Sequence, residues 1–422
     1  MRRLFIAIAV LVLLAGGILA GLVIHRLQQA KDVRGSSTVE YTPSTATPKP
    51  PPAAAKVPWP TYGFSATRTR SVNLALAPPF RTVWKYHAGS LVEFPPSIGY
   101  KRLYFSTNAG RFAAISAMTG KPAWKLDLHR CVAASPAIGP HAHGTVYAVF
   151  LNRPPCNALS GGHGSDGLIA AFSVGHGKIH WQHIIGPSES SPLLIGDHLH
   201  VGDLNGDVWA FDADNGRLLW RKHVGGAIKG AIASAGGRLY VGSYDGHVYC
   251  LTSAGKQVWR ASAQQRLGGR GRFYSTPALA YSRVYIGSTD GKVYSFGATS
   301  GKLIWSKSTG GYVYASPAVW NDRVFAGSYS GWFYAFDAAT GDIRWRFRAD
   351  GKISGSATVI GDVVYFATLT GGTHSKGRTY ALNVRTGKLL WSFPDGKYTP
   401  VVAVQGRLFL IGYGTVYGMV PR

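Results

Sequence analysis

The chain of 422 residues has few of the residues on which enzyme chemistry commonly depends. It contains three cysteines, none of them adjacent in sequence, and three glutamates, and its 45 Lys and Arg outnumber its 19 Asp and Glu. The sequence has no Cys-x-x-Cys pair, no Gly-x-Ser-x-Gly nucleophile motif and no phosphate-binding glycine loop. These absences remove the usual motifs of thiol-redox enzymes, serine hydrolases and nucleotide-binding proteins.

Beyond the N-terminal segment the chain also lacks the apolar periodicity of helices, and a tryptophan repeat is present instead. The spacing is mostly 39 to 46 residues, and once 57, between eight tryptophans: Trp84, Trp124, Trp181, Trp220, Trp259, Trp305, Trp345 and Trp391. Seven of them follow a glycine by four residues, namely Gly120, Gly177, Gly216, Gly255, Gly301, Gly341 and Gly387. A period near 40 with a fixed tryptophan is typical of one supersecondary unit repeated many times.

Each repeat has the pattern of four short strands joined by tight turns. In residues 190–224 the apolar runs are separated by turn pairs such as Asn205-Gly206, which favours a type I′ hairpin. The first tryptophan strand, Arg81 to Tyr86, has no strands before it, whereas residues 398–419 supply three strands without a tryptophan strand. Joining these ends hides both open edges. The sequence therefore predicts an all-β fold, a closed eight-bladed β-propeller of four-stranded antiparallel blades.

Two repeat segments, residues 334–345 (YAFDAATGDIRW) and 380–391 (YALNVRTGKLLW), carry a family resemblance. They resemble the repeat of the PQQ-type propellers, and Trp59-Pro-Thr-Tyr-Gly63 with Arg68-Thr-Arg70 resembles the segment before the first blade of many members. The resemblance covers roughly residues 58–420. It implies the propeller fold and leaves the activity open, because the family includes quinone-dependent dehydrogenases, outer-membrane assembly lipoproteins and propellers without an assigned role.

The resemblance also makes a quinoprotein dehydrogenase the enzyme alternative. Such an enzyme is expected to have adjacent cysteines over pyrroloquinoline quinone, a calcium ion held by carboxylates and amides, and an Asp base. This chain has no adjacent cysteines, and the acids expected to face the channel are Glu93 and Glu189. We therefore predict that the protein is not an enzyme and holds no pyrroloquinoline quinone, calcium or other metal.

An apolar segment and a Pro-rich stretch precede the repeats. Leu4 to Ile24 is a run of uncharged, mostly apolar residues behind two arginines, long enough to span a bilayer. No convincing signal-peptidase site follows it, although a cleaved signal peptide remains the alternative. We predict a signal anchor over residues 1–26, a linker rich in Pro, Ser and Thr over 27–57 that spaces the ring from the membrane, and the propeller over 58–422. The predicted location is a single-pass membrane protein with an extracytoplasmic propeller.

Two of the three cysteines are predicted to pair. Cys131 begins the first strand of the second complete blade, and Cys156 lies in the insertion Phe150 to Gly167 on the same face. A disulfide between them would stabilise the fold by about 3 kcal/mol and implies an oxidising compartment. Cys250 stands where another repeat has the Ala of Tyr-Ala-Phe, and it is expected to be a small buried core residue.

One residue per blade is expected at the same height around the channel mouth. Aligning the entrances of the eight first strands gives Glu93, Ala133, Glu189, Lys229, Tyr274, Tyr314, Ser354 and Tyr398. Three tyrosines, two carboxylates and a lysine make this mouth a candidate ligand- or partner-binding site. Arg270 and Arg272, in an expanded loop before Tyr274, are expected on the same face. The alternative is a water-filled mouth whose polar side chains are only solvated.

The net charge of +26 favours an anionic environment such as phospholipid head groups, wall polymers or acidic partner surfaces, or is simply a solvated surface. Nucleic acid is not expected as a partner of an exported protein. We predict a non-catalytic, monomeric, membrane-tethered scaffold that binds an envelope protein or an anionic polymer at the mouth. The further alternative is a sensor or adhesion module for anionic wall polymers. Because no lipoprotein cysteine follows the apolar segment, a role in outer-membrane assembly is not implied.

Overall fold

A computed structural model describes residues 2–43, 56–141, 144–153, 165–266, 268–369, 377–398 and 401–422. The described chain begins with helix α1 (Arg2–Gln29) and continues into eight four-stranded antiparallel sheets. The eight-bladed propeller is thus confirmed. Within α1 the stretch Leu11–Gln28 is long and apolar enough to cross a membrane, and it is not buried against the rest of the protein.

Seven blades consist of four strands that are consecutive in sequence. Blades 1 and 2 are β3–β6 (Ser97–Gly99, Arg102–Ser106, Arg111–Ser116, Pro122–Asp127) and β7–β10 (Ala137–Gly139, Thr145–Phe150, Gly167–Ser173, Ile179–Ile185). Blades 3 and 4 are β11–β14 (Leu193–Ile195, His198–Gly202, Asp207–Asp212, Leu218–His223) and β15–β18 (Ala233–Ala235, Arg238–Gly242, His247–Thr252, Gln257–Ser262). Blades 5 and 6 are β21–β24 (Ala278–Ala280, Arg283–Gly287, Lys292–Gly297, Leu303–Ser308) and β25–β28 (Ala318–Trp320, Arg323–Gly327, Trp332–Asp337, Ile343–Arg348). Blade 7 is β29–β32 (Thr358–Ile360, Val363–Ala367, Thr379–Asn383, Leu389–Phe393).

Blade 8 joins the two ends of the propeller and closes the ring as predicted. Its strands are β33 (Val401–Val404), β34 (Arg407–Ile411), β35 (Thr415–Pro421) and β2 (Phe80–His87). The outer strand β2 pairs with β35 from Phe80 opposite Pro421 to His87 opposite Thr415. Outside the blades lie β1 (Ser71–Val72), which pairs with β29, and the hairpin β19 (Gln265–Arg266) and β20 (Gly269–Arg270).

The repeated tryptophans pack between blades. Trp181 Nε1 donates a hydrogen bond, 3.0 Å long, to the Ala213 carbonyl of the next blade. The equivalent bond forms from Trp124, Trp220, Trp259, Trp305 and Trp345. The repeat glycine of that next blade lies against the indole: a Cβ on Gly216 would stand 2.6 Å from the Trp181 ring. The motif is therefore structural, because it joins one blade to the next.

Arginines make a second contact between blades, which the tryptophan repeat does not predict. An arginine at the start of the second strand donates to backbone carbonyls in a turn of the neighbouring blade; this holds for Arg102, Arg238, Arg283 and Arg407. These carbonyls lie in tight turns outside the strand ladders, and the guanidinium gives them a hydrogen-bond donor. The carbonyls of Val174 and Ala338 also accept from Trp124 and Trp305. The blades are thus joined through hydrogen bonds as well as apolar packing.

Residues 59–72, called the plug below, wind once around the channel end opposite the predicted mouth. Their carbonyls accept hydrogen bonds from the first strands of blades 1, 2, 4, 5, 6 and 7 in order, at Ile98, Ile138, Ser234, Leu279, Val319 and Val359. A first strand has a ladder partner within its blade on one side alone, so the plug pairs groups that would otherwise be buried without partners. Arg68 and Arg70 of the plug are 1% and 2% exposed. The channel is therefore closed at this end.

Residues 30–42, called the tether below, lie on the outside of the ring. Val33 forms a β-bridge with Ser306 of β24, and Arg34 forms an ion pair with Asp342 over 2.8 Å. This part of the predicted linker therefore lies against the ring, because its charged and backbone groups have specific partners on blades 5 and 6. Residues 44–55 of the predicted linker lie outside the described residues.

Candidate functional site

The eight positions predicted to surround the channel mouth line one cavity of about 430 Å³. They are Glu93, Ala133, Glu189, Lys229, Tyr274, Tyr314, Ser354 and Tyr398. Tyr62 of the plug lines the deeper end, where its hydroxyl meets Ser316 Oγ at 3.3 Å and Ser356 Oγ at 2.9 Å. The plug thus makes the site a blind pocket with one open end.

Tyrosines form one side of the cavity. The rings of Tyr274 and Tyr314 meet edge to face with centroids 4.8 Å apart, and Tyr314 meets Tyr329 in the same way at 4.9 Å. Tyr244 lies 6.1 Å from Tyr274. Burial raises the pKa of Tyr274 well above its ordinary value and that of Tyr398 to about 12, so these phenols stay neutral and can donate hydrogen bonds.

Tyr244 and Tyr329 are site residues that the sequence alignment missed. Each follows the end of a second strand rather than preceding a first strand, so comparing strand entrances could not find it. A signal was present in the sequence, since Gly242-Ser243-Tyr244 and Gly327-Ser328-Tyr329 are the same tripeptide at the same place in two repeats.

The acidic side of the cavity contains one paired and one unpaired carboxylate. Lys229 Nζ lies 2.8 Å from Glu189 Oε1, and both side chains are about nine-tenths buried. The same ammonium lies 5.6 Å from the ring centroids of Tyr244 and Tyr274. Among the described residues Glu93 has no ion-pair partner, and burial, together with the charge of Glu189, raises its pKa to about 7. Glu93 is therefore the carboxyl group of the cavity that is free to meet a ligand.

The predicted arginines lie at different distances from this cavity. Arg272 stands at the rim, with its guanidinium 5.7 Å from the Tyr244 ring centroid. Lys352 and Lys397 hold similar positions over Tyr329 and Tyr413, at 5.7 and 4.7 Å. Arg270 lies farther out on β20, where its guanidinium is exposed and 3.5 Å from His247 Nε2. The structure thus brings Arg272 to the mouth and leaves Arg270 outside it.

The residues present do not fit a calcium–quinone centre. Glu189 is already bound by Lys229, and the described residues contain no group of three or more His, Cys, Asp or Glu positioned to hold a metal ion. Cys131 is disulfide-bonded and Cys250 is free and buried; the predicted partner Cys156 lies outside the described residues, so that pairing stays a prediction. The absence of pyrroloquinoline quinone and calcium also stays a prediction, supported by this misfit.

Comparison with known proteins gives a consistent family. The family model described as outer membrane protein assembly factor BamB matches residues 68–224, 204–315 and 289–418. BamB of Burkholderia pseudomallei is 29% identical over 116 residues, which is 28% of this chain and 29% of that protein. BamB of Nitrosomonas eutropha is 27% identical over 129 residues, 30% of each chain. The matches thus span about three tenths of the length of these curated relatives.

Solved structures share the fold at low identity. The crystal structure of BamB from Moraxella catarrhalis superposes with a TM-score of 0.62 at 17% identity, covering 81% of this chain and 98% of that one. Quinohemoprotein alcohol dehydrogenase from Comamonas testosteroni gives 0.68 at 17% identity, covering 87% and 81%. At such identities these likenesses establish the propeller alone. With the family model matching residues 68–418 in three overlapping ranges, the chain belongs to the family of outer membrane protein assembly factor BamB.

Proposed function

We propose that this protein is a non-catalytic scaffold, held at a membrane by α1 with its propeller outside the cytoplasm, which binds a segment of an envelope protein in the channel mouth. One observation carries the proposal: eight equivalent positions converge on a cavity of about 430 Å³ that the plug closes at its far end. Such a volume suits a few side chains of an inserted loop or chain end. The BamB family membership agrees with a binding role.

The chemistry of the cavity favours a segment that carries Lys or Arg. Glu93 offers a carboxyl group without a cationic partner among the described residues, and the aromatic rings of Tyr274 and Tyr314 line the same cavity. Tyrosines are also common among the residues that dominate binding energy at protein interfaces. Lys229 is already neutralised by Glu189, so an acidic segment would have to displace that ion pair.

Photo-crosslinking from the cavity tests this function. Benzoylphenylalanine is placed at position 314 or 398 of the full chain in its native cells, and at Lys302 as a control on the opposite end of blade 5. We expect discrete protein adducts from 314 and 398 and none of these from 302. Glu93→Gln should weaken the adducts, because it removes the charge that meets the cationic segment.

Other outcomes separate the alternatives. The same adducts from all three positions, or adducts unaffected by Glu93→Gln, would contradict binding in the mouth. Binding of an anionic polymer through Arg272, Lys352 and Lys397 would give polydisperse adducts that disappear at moderate salt. Saturable quenching of tryptophan fluorescence by pyrroloquinoline quinone with calcium would instead support the quinoprotein alternative.

A further inference from the structure

The tether extends over the full height of the ring, from the mouth end to the plug end. At its start the Ala30 carbonyl accepts a hydrogen bond from Lys292 Nζ over 2.6 Å, beside a mouth-end hairpin of blade 5. At its end Thr42 N donates to the Tyr281 carbonyl over 3.3 Å, in a turn at the plug end. The tether begins at the mouth end, and the chain continues from its other end to the plug. Because α1 directly precedes the tether, α1 must leave the ring at the mouth end.

The tether is fixed along this path by charged groups. Arg283 is fully buried and donates hydrogen bonds, each 2.6 Å long, to the carbonyls of Ser36 and Val39. It also donates to carbonyls of blade 6. Its guanidinium also lies 4.9 Å from the ring centroid of Tyr41. Asp32 stands 3.4 Å from Lys292 and from Lys307. The last turn of α1 is therefore joined to the ring without a free spacer between them.

We propose that the mouth end of the propeller faces the membrane that α1 spans; this rests on the anchoring role given to α1 above. The membrane-length stretch Leu11–Gln28 is not buried, so α1 does not run down the side of the ring. A ring fixed beyond the C-terminal end of such a helix must have the bilayer on its mouth side. A ligand segment for the cavity would then come from a protein in or close to that membrane.

In this orientation the hairpin β19–β20 makes a second contact with the membrane, through its anionic lipid head groups. β19 lies beside α1, and Gln264 just before β19 donates to the Lys31 carbonyl just after α1. The side chains of Arg266, Arg270 and Lys31 are exposed there. Each basic side chain near an anionic lipid surface favours contact by about fivefold. Arg270, which lies outside the cavity, thereby acquires a function in orienting the ring.

Fluorescence quenching in vesicles tests the orientation. The full chain carries a bimane label at Tyr312→Cys, at the mouth end of blade 6, or at Lys302→Cys, at the plug end of blade 5. The labels lie about 20 Å apart along the ring axis, the length of a six-residue strand. In phosphatidylcholine vesicles with phosphatidylglycerol and a head-group nitroxide lipid, we expect strong quenching at 312 and little at 302. Unsubstituted protein gives the background from Cys250.

Variants test the two contacts separately. Arg266→Gln with Arg270→Gln should lower quenching at 312 in anionic vesicles and leave it unchanged in pure phosphatidylcholine. The matched pair Arg217→Gln with Arg385→Gln, exposed at the plug end, should change neither. Asp32→Ser with Arg34→Ala, both at exposed tether positions, should loosen the tether while the Arg283 contacts remain, so that the difference between 312 and 302 becomes smaller.

Three results would overturn the proposal. Equal quenching at 312 and 302 in the unaltered tether would mean that the mouth does not face the bilayer, and the scaffold function would stand. Equal effects of the two arginine pairs would remove the lipid contact. Protein that alkaline carbonate extracts from vesicles would show that α1 is not an anchor, and then the proposed tethering fails with the orientation.

Discussion

At the scale of single residues, the repeat glycines combine a backbone requirement with a contact. Gly216 has φ +77°, and a Cβ there would lie 2.6 Å from the ring of Trp181. Gly196 also has a positive φ, +55°, but nothing lies within 4 Å of the place where its Cβ would be. The two positions therefore separate the conformational cost of a side chain from the steric one.

We expect Gly216→Ala to lower the free energy of unfolding more than Gly196→Ala does. The positive φ costs about 1 kcal/mol at both positions, and crowding against Trp181 adds about 1–3 kcal/mol at Gly216 alone. Urea unfolding followed by tryptophan fluorescence measures both. Equal losses would mean that the indole moves aside freely, against the role given to the motif.

Glu93 is a residue of the cavity whose protonation should change near neutral pH. Its pKa is about 7 in the folded protein, raised by burial and by Glu189, against 4.5 in the unfolded chain. Between these values the folded protein retains a proton that the unfolded chain has lost. Stability therefore falls as pH rises from about 4.5 to 7 and is level above that range.

Glu93→Gln removes this pH dependence. At pH 8 we expect the variant to be more stable than the natural protein by about 1–3 kcal/mol, and at pH 4.5 the two should agree. Urea unfolding at both pH values provides the measurement. Glu189→Gln is the control, because loss of the partner of Lys229 leaves a buried ammonium unpaired and should destabilise the protein. A Glu93→Gln variant that is less stable at pH 8 would contradict the raised pKa.

At the scale of elements, the plug depends on two buried arginines with different numbers of partners. Arg68 donates to the carbonyls of Ile232 and Pro192, over 2.9 and 3.2 Å, and to Thr61 Oγ1 over 2.7 Å. Arg70 donates to the Ala357 carbonyl over 2.7 Å and stacks on Tyr62, and one of its terminal nitrogens has no partner among the described residues.

Arg68→Lys should therefore destabilise the protein more than Arg70→Lys. A lysine keeps the charge and loses the planar fork that reaches several acceptors at once, and each carbonyl left unpaired costs about 1–3 kcal/mol. Thermal unfolding compares the two variants, and proteolysis between residues 56 and 72 reports whether the plug has come free. Equal effects would mean that charge alone holds the plug in the channel.

At the scale of the whole molecule, stability rests on ring closure through blade 8. Removal of β35 would leave β2 and β34 without their shared neighbour and expose two strand edges. We expect a chain ending at Gly414 to lose cooperative unfolding and to aggregate, measured by light scattering after size-exclusion chromatography. A chain that lacks Arg422 alone keeps β35 and should stay monomeric, as predicted for the full chain. A monomeric, cooperatively folding product of the longer truncation would contradict closure as the basis of stability.

Much of the architecture followed from the sequence alone. The eight Trp positions, seven of them preceded by a Gly, recur at one place in every blade, so local turn chemistry and a single packing contact predict the unit, and the unmatched ends predict closure. The ring of Glu93, Lys229, Tyr274 and their equivalents was also predicted, because equivalent positions in a closed repeat lie at equal heights around its axis.

Contacts between residues far apart in sequence were decided by the tertiary structure alone. The plug and the attachment of the tether to Arg283 both join segments outside the repeat pattern to the blades. The composition of residues 27–57 predicts a spacer. Composition does not reveal that particular carbonyls and charges have partners on a distant surface. The raised pKa of Glu93 likewise depends on burial and on Glu189, which the chain brings together only when the ring has closed.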